Sequence, residues 1–257
     1  MKKIIGLSGK GGTGKTTIAA AIIRLLNEMA GDEKPSILAI DADPDLNLPQ
    51  ALGYEYKRTV GDVRESILAD LSSMNPKNVD RNMEFKSAIN EIIVEGDACD
   101  LLVMGQPEKM GCYCPVNNMI RTIVDSFAAS YDYLLLDCEA GLEHISRRTT
   151  QGVNTMIVVS DATAKGLQCA ERIKKLITDI NSVEIKEVLT IANRVPHGME
   201  DLMKKNAEKY GIELAELIPF DPLITENDIE NKPIWVLPDD SPLIKGVRNI
   251  LKKVLKN

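Results

Sequence analysis

Residues 3–17 read KIIGLSGKGGTGKTT: a short apolar run, then four glycines interleaved with two lysines and a threonine, then two more threonines. Within it, GKGGTGKT (9–16) fits G-x-x-x-x-G-K-[ST] at every fixed position. The run before it predicts a strand and the residues after it predict a helix, which is the context this motif needs. Gly9, Gly11, Gly12 and Gly14 let the backbone turn tightly and aim N–H groups at phosphate oxygens. The cradle runs through Thr13 to the helix opening near Thr16, whose positive end favours an anion. Lys15 is placed for β- and γ-phosphates, Thr16 for Mg²⁺ and Thr17 for the α-phosphate. A glycine-rich turn that binds nothing is the plain alternative, and the agreement of motif with context speaks against it.

The same strand-then-helix alternation continues along the chain. Apolar runs at 3–7, 36–41, 100–104, 133–137, 155–159, 187–192 and 215–218 predict strands. Their continuous apolar character suits parallel strands covered on both faces. Helical patterns fall at about 16–30, 60–72, 80–94, 118–130, 165–180, 199–210 and 241–255. The expected fold is therefore α/β, a P-loop NTPase with a mostly parallel central sheet and helices on both faces, in one domain over 1–257. The long insertion at 53–98 is expected to add helices at one edge or face.

Composition bounds the function classes. The chain has 257 residues, 44% hydrophobic and 27% charged, with a net charge of −7. An acidic total argues against non-specific nucleic-acid binding, which needs a basic face. The N-terminal apolar run is too short for a signal peptide, and no run of about 18 apolar residues predicts a membrane span. A cytoplasmic setting follows as the expectation. There the five cysteines would be reduced and available to metal.

Two acidic stretches complete a phosphoryl-transfer pattern. In ILAIDADPDLN (37–47) a strand ends in Asp41-Ala-Asp43-Pro44; in LLLDCEAG (134–141) a strand ends in Asp137, with Gly141 four residues on. A strand-end Asp is often only a cap or turn residue. Beside a phosphate loop, Asp137 is expected to hold the water shell of Mg²⁺.

KGGTGKTT (10–17), with its early Lys10, resembles the deviant Walker A signature of the MinD/ParA/nitrogenase-iron-protein class. The resemblance implies that Lys10 crosses a nucleotide-sandwiched homodimer to the partner's phosphates, so that ATP acts as glue. It implies that Asp43 orients the attacking water, that Asp41 supports the Mg²⁺ shell, and that Lys10 and Lys15 complete the catalytic set. Slow hydrolysis is expected, with Lys10 standing in for an arginine finger. The resemblance also assigns adenine recognition to Asn193, beside Arg194, and to the IPFDPLI segment (218–224), where Pro219 to Asp221 would line the pocket.

GCYCPVN (111–117) adds Cys112 and Cys114. Buried small residues or a redox pair are alternatives, although redox motifs favour C-x-x-C. In an extended segment, sulfurs at i and i+2 point the same way. One chain then offers two thiolates where a structural zinc site needs four. Two chains about a two-fold axis would supply the rest. Four thiolates suit Zn²⁺, an Fe–S cluster or square-planar Ni²⁺. The deviant Walker A loop, D-A-D-P, D-C-E-A-G-L-E and the central C-x-C together resemble the CooC-type ATPases and their relative AcsF. That resemblance spans essentially the whole chain. It implies Ni²⁺ (or Zn²⁺ in the same site) at Cys112 and Cys114 of a homodimer, and delivery to an enzyme of the carbon monoxide dehydrogenase/acetyl-CoA synthase type.

Two rivals remain. Cys112 and Cys138 could hold an Fe–S cluster, against which Cys138 is simply a small buried residue at a strand end. The C-terminal stretch SPLIKGVRNILKKVLKN carries a basic face (Lys245, Arg248, Lys252, Lys253, Lys256) opposite an apolar one. It would bind a membrane surface as in positioning ATPases, or dock on the sheet, which is the expectation. His144 and His197 have no metal-ligand partner at helical spacing.

Overall fold

The computed structural model describes residues 3–72, 81–105, 123, 126–127, 129–138, 152–179 and 185–256. Seven strands form one sheet: β1 (Lys3–Gly9), β2 (Ile37–Ala42), β3 (Asp100–Val103), β4 (Tyr133–Cys138), β5 (Val153–Asp161), β6 (Ile185–Val195) and β7 (Leu214–Pro219). Every pairing between them is parallel, in the order β3-β2-β4-β1-β5-β6-β7. Each predicted strand has its counterpart. The helices described are α1 (Lys15–Ala30), α2 (Leu48–Leu52), α3 (Val60–Ser72), α4 (Arg81–Ile92), α5 (Ala164–Asp179), α6 (Glu200–Lys209), α7 (Pro222–Ile229) and α8 (Pro242–Lys256), with a 3-10 turn at Ile234–Val236. Most of the helix expected at 118–130 lies outside the described residues.

Side-chain alternation on the strands builds two cores. Ile5, Leu7, Leu135, Ile157 and Ile191 face one side, under α1, α2 and α8. Ile4, Leu38, Ile40, Leu136 and Val158 face the other, under α3, α4, α5 and α6. The 53–98 insertion thus adds α3 and α4 to the second face, beside the β3 edge.

The basic C-terminal helix is part of the first core. Leu243, Ile244, Val247, Ile250, Leu251 and Val254 are buried, and Lys3 Nζ donates to the Val254 carbonyl at 2.6 Å. Lifting α8 onto a membrane would expose these six apolar side chains, at a cost on the order of 10 kcal/mol. The docking alternative is what the structure adopts. Among the described residues no helix is long and apolar enough to cross a membrane.

Two short helical elements were not evident in the sequence. α2 is five residues long. α7 has no fully buried side chain, so it leaves no apolar period to read. Its available signal was the start: Asp221 caps it and Pro222 takes the first helical position.

Strand order places the site. The chain leaves central β1, fills the sheet on the β4 side, then returns to β5 on the other. Ligands of such sheets bind at the carboxyl ends of the strands, where the order reverses. The glycine-rich loop sits there, between β1 and α1.

Candidate nucleotide site

The loop's shape requires glycine at its two ends. A Cβ on Gly9, at φ +154°, would lie 2.2 Å from the Val159 carbonyl oxygen of neighbouring β5. Gly14 precedes α1 at φ +89°, and a Cβ there would lie 2.5 Å from Asn193 Nδ2. Inside the loop, the Thr13 hydroxyl donates to the Lys10 carbonyl at 2.9 Å. β6 braces it from outside. Asn193 Nδ2 donates to the Thr13 carbonyl at 2.9 Å, and Arg194 Nη1, on a residue with φ +58°, donates to the Gly12 carbonyl at 3.0 Å. These two bonds engage the Thr13 and Gly12 carbonyls, and the Thr13 N–H donates to the Lys10 carbonyl at 3.4 Å.

Lys15 is buried, with Nζ 3.8 Å from Asp43 Oδ2 and 3.5 Å from the Lys10 carbonyl. Three strand-end carboxylates gather beside it. Asp41 and Asp137 are register partners across β2 and β4, and both are fully buried. Asp41 accepts from the backbone N–H groups of Asp43 (3.1 Å) and Leu48 (3.0 Å). Burial, followed by the charge of Asp137, raises its pKa to about 7. Neither oxygen of Asp137 has a partner in hydrogen-bonding geometry. Burial raises its pKa to about 6, against the opposing pull of the Thr16 hydroxyl and the Lys15 charge beside it.

Two buried carboxylates, one of them without a hydrogen-bond partner, fit a divalent cation. Mg²⁺ takes oxygen donors and commonly needs only one or two carboxylates, the rest of its shell being water and phosphate. Thr16, Asp137 and Asp41 are the residues that would hold or frame it. Among the described residues no cluster of three or more His, Cys, Asp and Glu could hold a metal unaided.

Lys10 lies at the outside of the loop. It is half exposed, and its Nζ lies 3.5 Å from Asp161 Oδ2 at the end of β5. It is placed to act outward from the chain.

The cavity, about 330 Å³, is lined by Gly11, Gly12, Gly14, Lys15, Thr16, Thr17, Asp43 and Arg194 on the loop side. Asn47, Gln50, Asp228 and Lys232 stand on the other side. Of the residues expected at the adenine end (Asn193, Arg194 and Pro219 to Asp221), Arg194 lines this cavity. Neither Pro219 nor Asp221 lines this cavity. Asp221 is buried with both oxygens engaged, one by the Leu223 N–H (3.1 Å) and one by the Ser241 hydroxyl (2.5 Å). It is a helix cap tied to α8. Asn193 is also buried, and its amide braces the loop. Asn47, Gln50, Asp228 and Lys232 were missed because α2 and α7, which position them, were missed.

Cys112 and Cys114 lie outside the described residues, as do Gly141 and His144. Cys138 is fully buried at the end of β4, where burial pushes its thiol pKa up. His197 is a fully exposed turn residue, 3.9 Å from Glu200.

The CobQ/CobB/MinD/ParA nucleotide binding domain matches residues 4–234. The chain belongs to this family. It is 43% identical over 254 residues to an uncharacterized ATP-binding protein of Methanocaldococcus jannaschii, covering 98% of both chains. It is 31% identical over 241 residues to the carbon monoxide dehydrogenase accessory protein CooC of Rhodospirillum rubrum, covering 87% of this chain and 86% of that one. Among solved structures, the Pyrococcus furiosus cell division ATPase MinD superposes with a TM-score of 0.70 at 22% identity, covering 100% of this chain and 99% of that one. A ParA family ATPase from Chlorobium tepidum gives 0.71 at 19%, covering 99% and 98%. At that identity these two speak for the fold alone. The family is a nucleotide-binding one, and the cavity beside this chain's glycine-rich loop is lined by Lys15 and Thr16.

Proposed function

We propose that the protein is an ATP-dependent nickel metallochaperone. The observation that carries its ATPase half is the pairing of Lys15, in the phosphate loop, with Asp43 at the end of β2, beside the orphaned carboxylate of Asp137. The loop N–H groups and Lys15 hold the phosphates. Thr16, with Asp137 and Asp41 behind it, would hold Mg²⁺, which would supply charge neutralisation at the phosphates. Asp43 orients the water that attacks the γ-phosphate, so ATP and water become ADP and phosphate. Lys10 reaches the partner's phosphates in a homodimer, after giving up Asp161.

The metal half rests on Cys112 and Cys114 and on the likeness to CooC. Two chains offer four thiolates at the dimer axis, and Ni²⁺ is the cargo they carry, with Zn²⁺ able to occupy the same site. Nucleotide state sets the geometry of that interface, and the cargo passes to an enzyme of the carbon monoxide dehydrogenase/acetyl-CoA synthase type. The setting is the cytoplasm, in one domain over 1–257.

The test is a Ni²⁺ titration of metal-free protein, purified without oxygen, with and without Mg-ATP, following mass in solution. The expected result is one Ni²⁺ per two chains and a monomer-to-dimer change, both lost in Cys112→Ala/Cys114→Ala. Equal nickel binding by that variant would sink the metal half. An ATP-driven dimer without stoichiometric nickel would leave an ATPase with another cargo, and iron reconstitution would then decide for a cluster.

A further inference from the structure

One stretch of chain, residues 43–51, supplies Asp43, Asp45, Asn47, Gln50 and Ala51 to the cavity, and Asp228 and Lys232 stand beyond it. This stretch does not hold itself. α2 has five residues, too few to be stable alone. Leu46, just before it, has a left-handed backbone (φ +51°), which is costly for a bulky side chain and persists only where neighbours enforce it. Burial of Leu48, Pro49 and Leu52 attaches α2 to the core, but apolar contact has no direction. Direction comes from hydrogen bonds at its two ends. At the near end, Asp41 accepts from the N–H groups of Asp43 and Leu48, one on each carboxylate oxygen. At the far end, the Trp235 indole N–H donates to the Leu52 carbonyl at 2.8 Å, across 183 positions. Beside it, Pro233 packs so closely that a Cβ on Gly53 would lie 3.2 Å from it. Pro233 and Trp235 belong to the strap between α7 and α8. Arg24 of α1 ties that strap down, donating to the Ile234 and Leu237 carbonyls (3.5 and 2.5 Å). Trp235 itself does not line the cavity.

We propose that Trp235 is a positioning residue of the nucleotide site, acting through α2 on the Asp41 carboxylate and so on the frame for Mg²⁺. This rests on the reading of the cavity as a site for a nucleotide with Mg²⁺. Both Asp41 oxygens are oriented by N–H groups of residues 43–48, so the carboxylate keeps one direction only while that stretch keeps its own. Without the indole bond, α2 retains its apolar contacts and loses the anchor on its last carbonyl. The strain at Leu46 then has a way to relax, and the Leu48 N–H moves with it. Order lost in the free protein has to be regained when Mg²⁺ binds, which weakens Mg²⁺ and leaves the glycine loop's hold on phosphate as it was. The strap thereby sets the cation frame from outside the cavity, into which it sends Lys232 but not Trp235.

The experiment measures Kd for ADP by calorimetry on the full chain, with Mg²⁺ and with EDTA, and Tm without nucleotide. Wild type, Trp235→Phe and the control Asp239→Ala are compared. Phe keeps a ring in place and removes the N–H. Asp239 is exposed, pairs with Arg24 on the same strap and does not touch Leu52. In wild type, Mg²⁺ should tighten ADP binding. In Trp235→Phe that gain should shrink about fivefold, while Kd in EDTA stays within about twofold of wild type. Asp239→Ala should match wild type in both. If Trp235→Phe does not fold, Pro233→Ala, which removes the ring packed on Gly53, takes its place and should show the same smaller gain. A full Mg²⁺ gain in the folded variant, with only Tm lowered, makes the indole bond merely structural and overturns the proposal. Equal weakening with Mg²⁺ and with EDTA, or a wild type indifferent to Mg²⁺, overturns it as well, and each of these leaves the nucleotide site standing. A wild type that binds no ADP overturns the nucleotide site itself.

Discussion

Asp41 and Asp137 carry the chemistry most sensitive to solution conditions. Their pKa values in the folded chain, about 7 and about 6, lie above the ordinary 3.8. Between about pH 4 and pH 7 the folded protein therefore holds protons that the unfolded chain has released. Stability of the nucleotide-free protein should fall as pH rises through that window and flatten above it. Replacing one of the pair by its neutral isostere should relieve this. At pH 8 Asp137→Asn should unfold at higher denaturant than wild type, by up to about 3 kcal/mol, with the gap closing towards pH 4. Chemical denaturation of both proteins at pH 4.5, 6 and 8 checks it, and a gap independent of pH would contradict it. The same variant should lose Mg²⁺-dependent hydrolysis. Lys15→Ala should cut the hydrolysis rate by on the order of 100-fold, in a phosphate-release assay. Asn193 tests the brace. Asn193→Ala leaves the Thr13 carbonyl without its donor and should cost about 1–3 kcal/mol, read by thermal unfolding without nucleotide. An unchanged stability would mean that the loop holds its shape alone.

At the scale of elements, α8 ties the end of the chain to its first helix and last strand. Leu251 is fully buried against that core. Leu251→Ala should cost about 2–5 kcal/mol, measured by urea unfolding. Lys252→Ala, on the exposed face of the same helix, should fall within about 0.5 kcal/mol of wild type. Comparable losses for both would show that α8 is not docked by its apolar face. Helix length and amphipathic period explain what could be read beforehand. α1, α3, α5, α6 and α8 each run for ten or more residues, and each was anticipated within one residue at either end. α2 has five residues and α7 eight, and α7 has no fully buried side chain. No hydrophobic period can mark such a helix, and only the Asp-Pro start of α7 betrayed it.

For the whole molecule, the outward Lys10 and its Asp161 partner bear on assembly. If Lys10 must leave Asp161 to reach a second chain, Asp161→Ala should free it and lower the ATP concentration at which dimers form. Sedimentation velocity across an ATP titration reads this directly. A midpoint equal to that of wild type would mean that the ion pair, half exposed and therefore weak, does not hold Lys10 back.

The sequence by itself determined the parallel α/β sheet, the phosphate loop and its lysines, and the aspartates at two strand ends. Those features are local: a period of apolar residues, a glycine spacing, a charged residue closing an apolar run. The family match over residues 4–234 and the seven-stranded sheet agree with that reading. Only the tertiary structure decided which polar groups are left free for a ligand. Asn193 and Asp221 had the residue types for base recognition, yet each is buried and bonded to its own chain. Asn47, Gln50 and Asp228 drew no notice as residues, yet two short helices bring them to the open wall of the cavity. Whether a side chain's hydrogen-bonding capacity is already spent depends on neighbours as distant as Thr13 from Asn193, 180 residues apart. No local pattern carries that information, because packing of the sheet and its helices creates the neighbour.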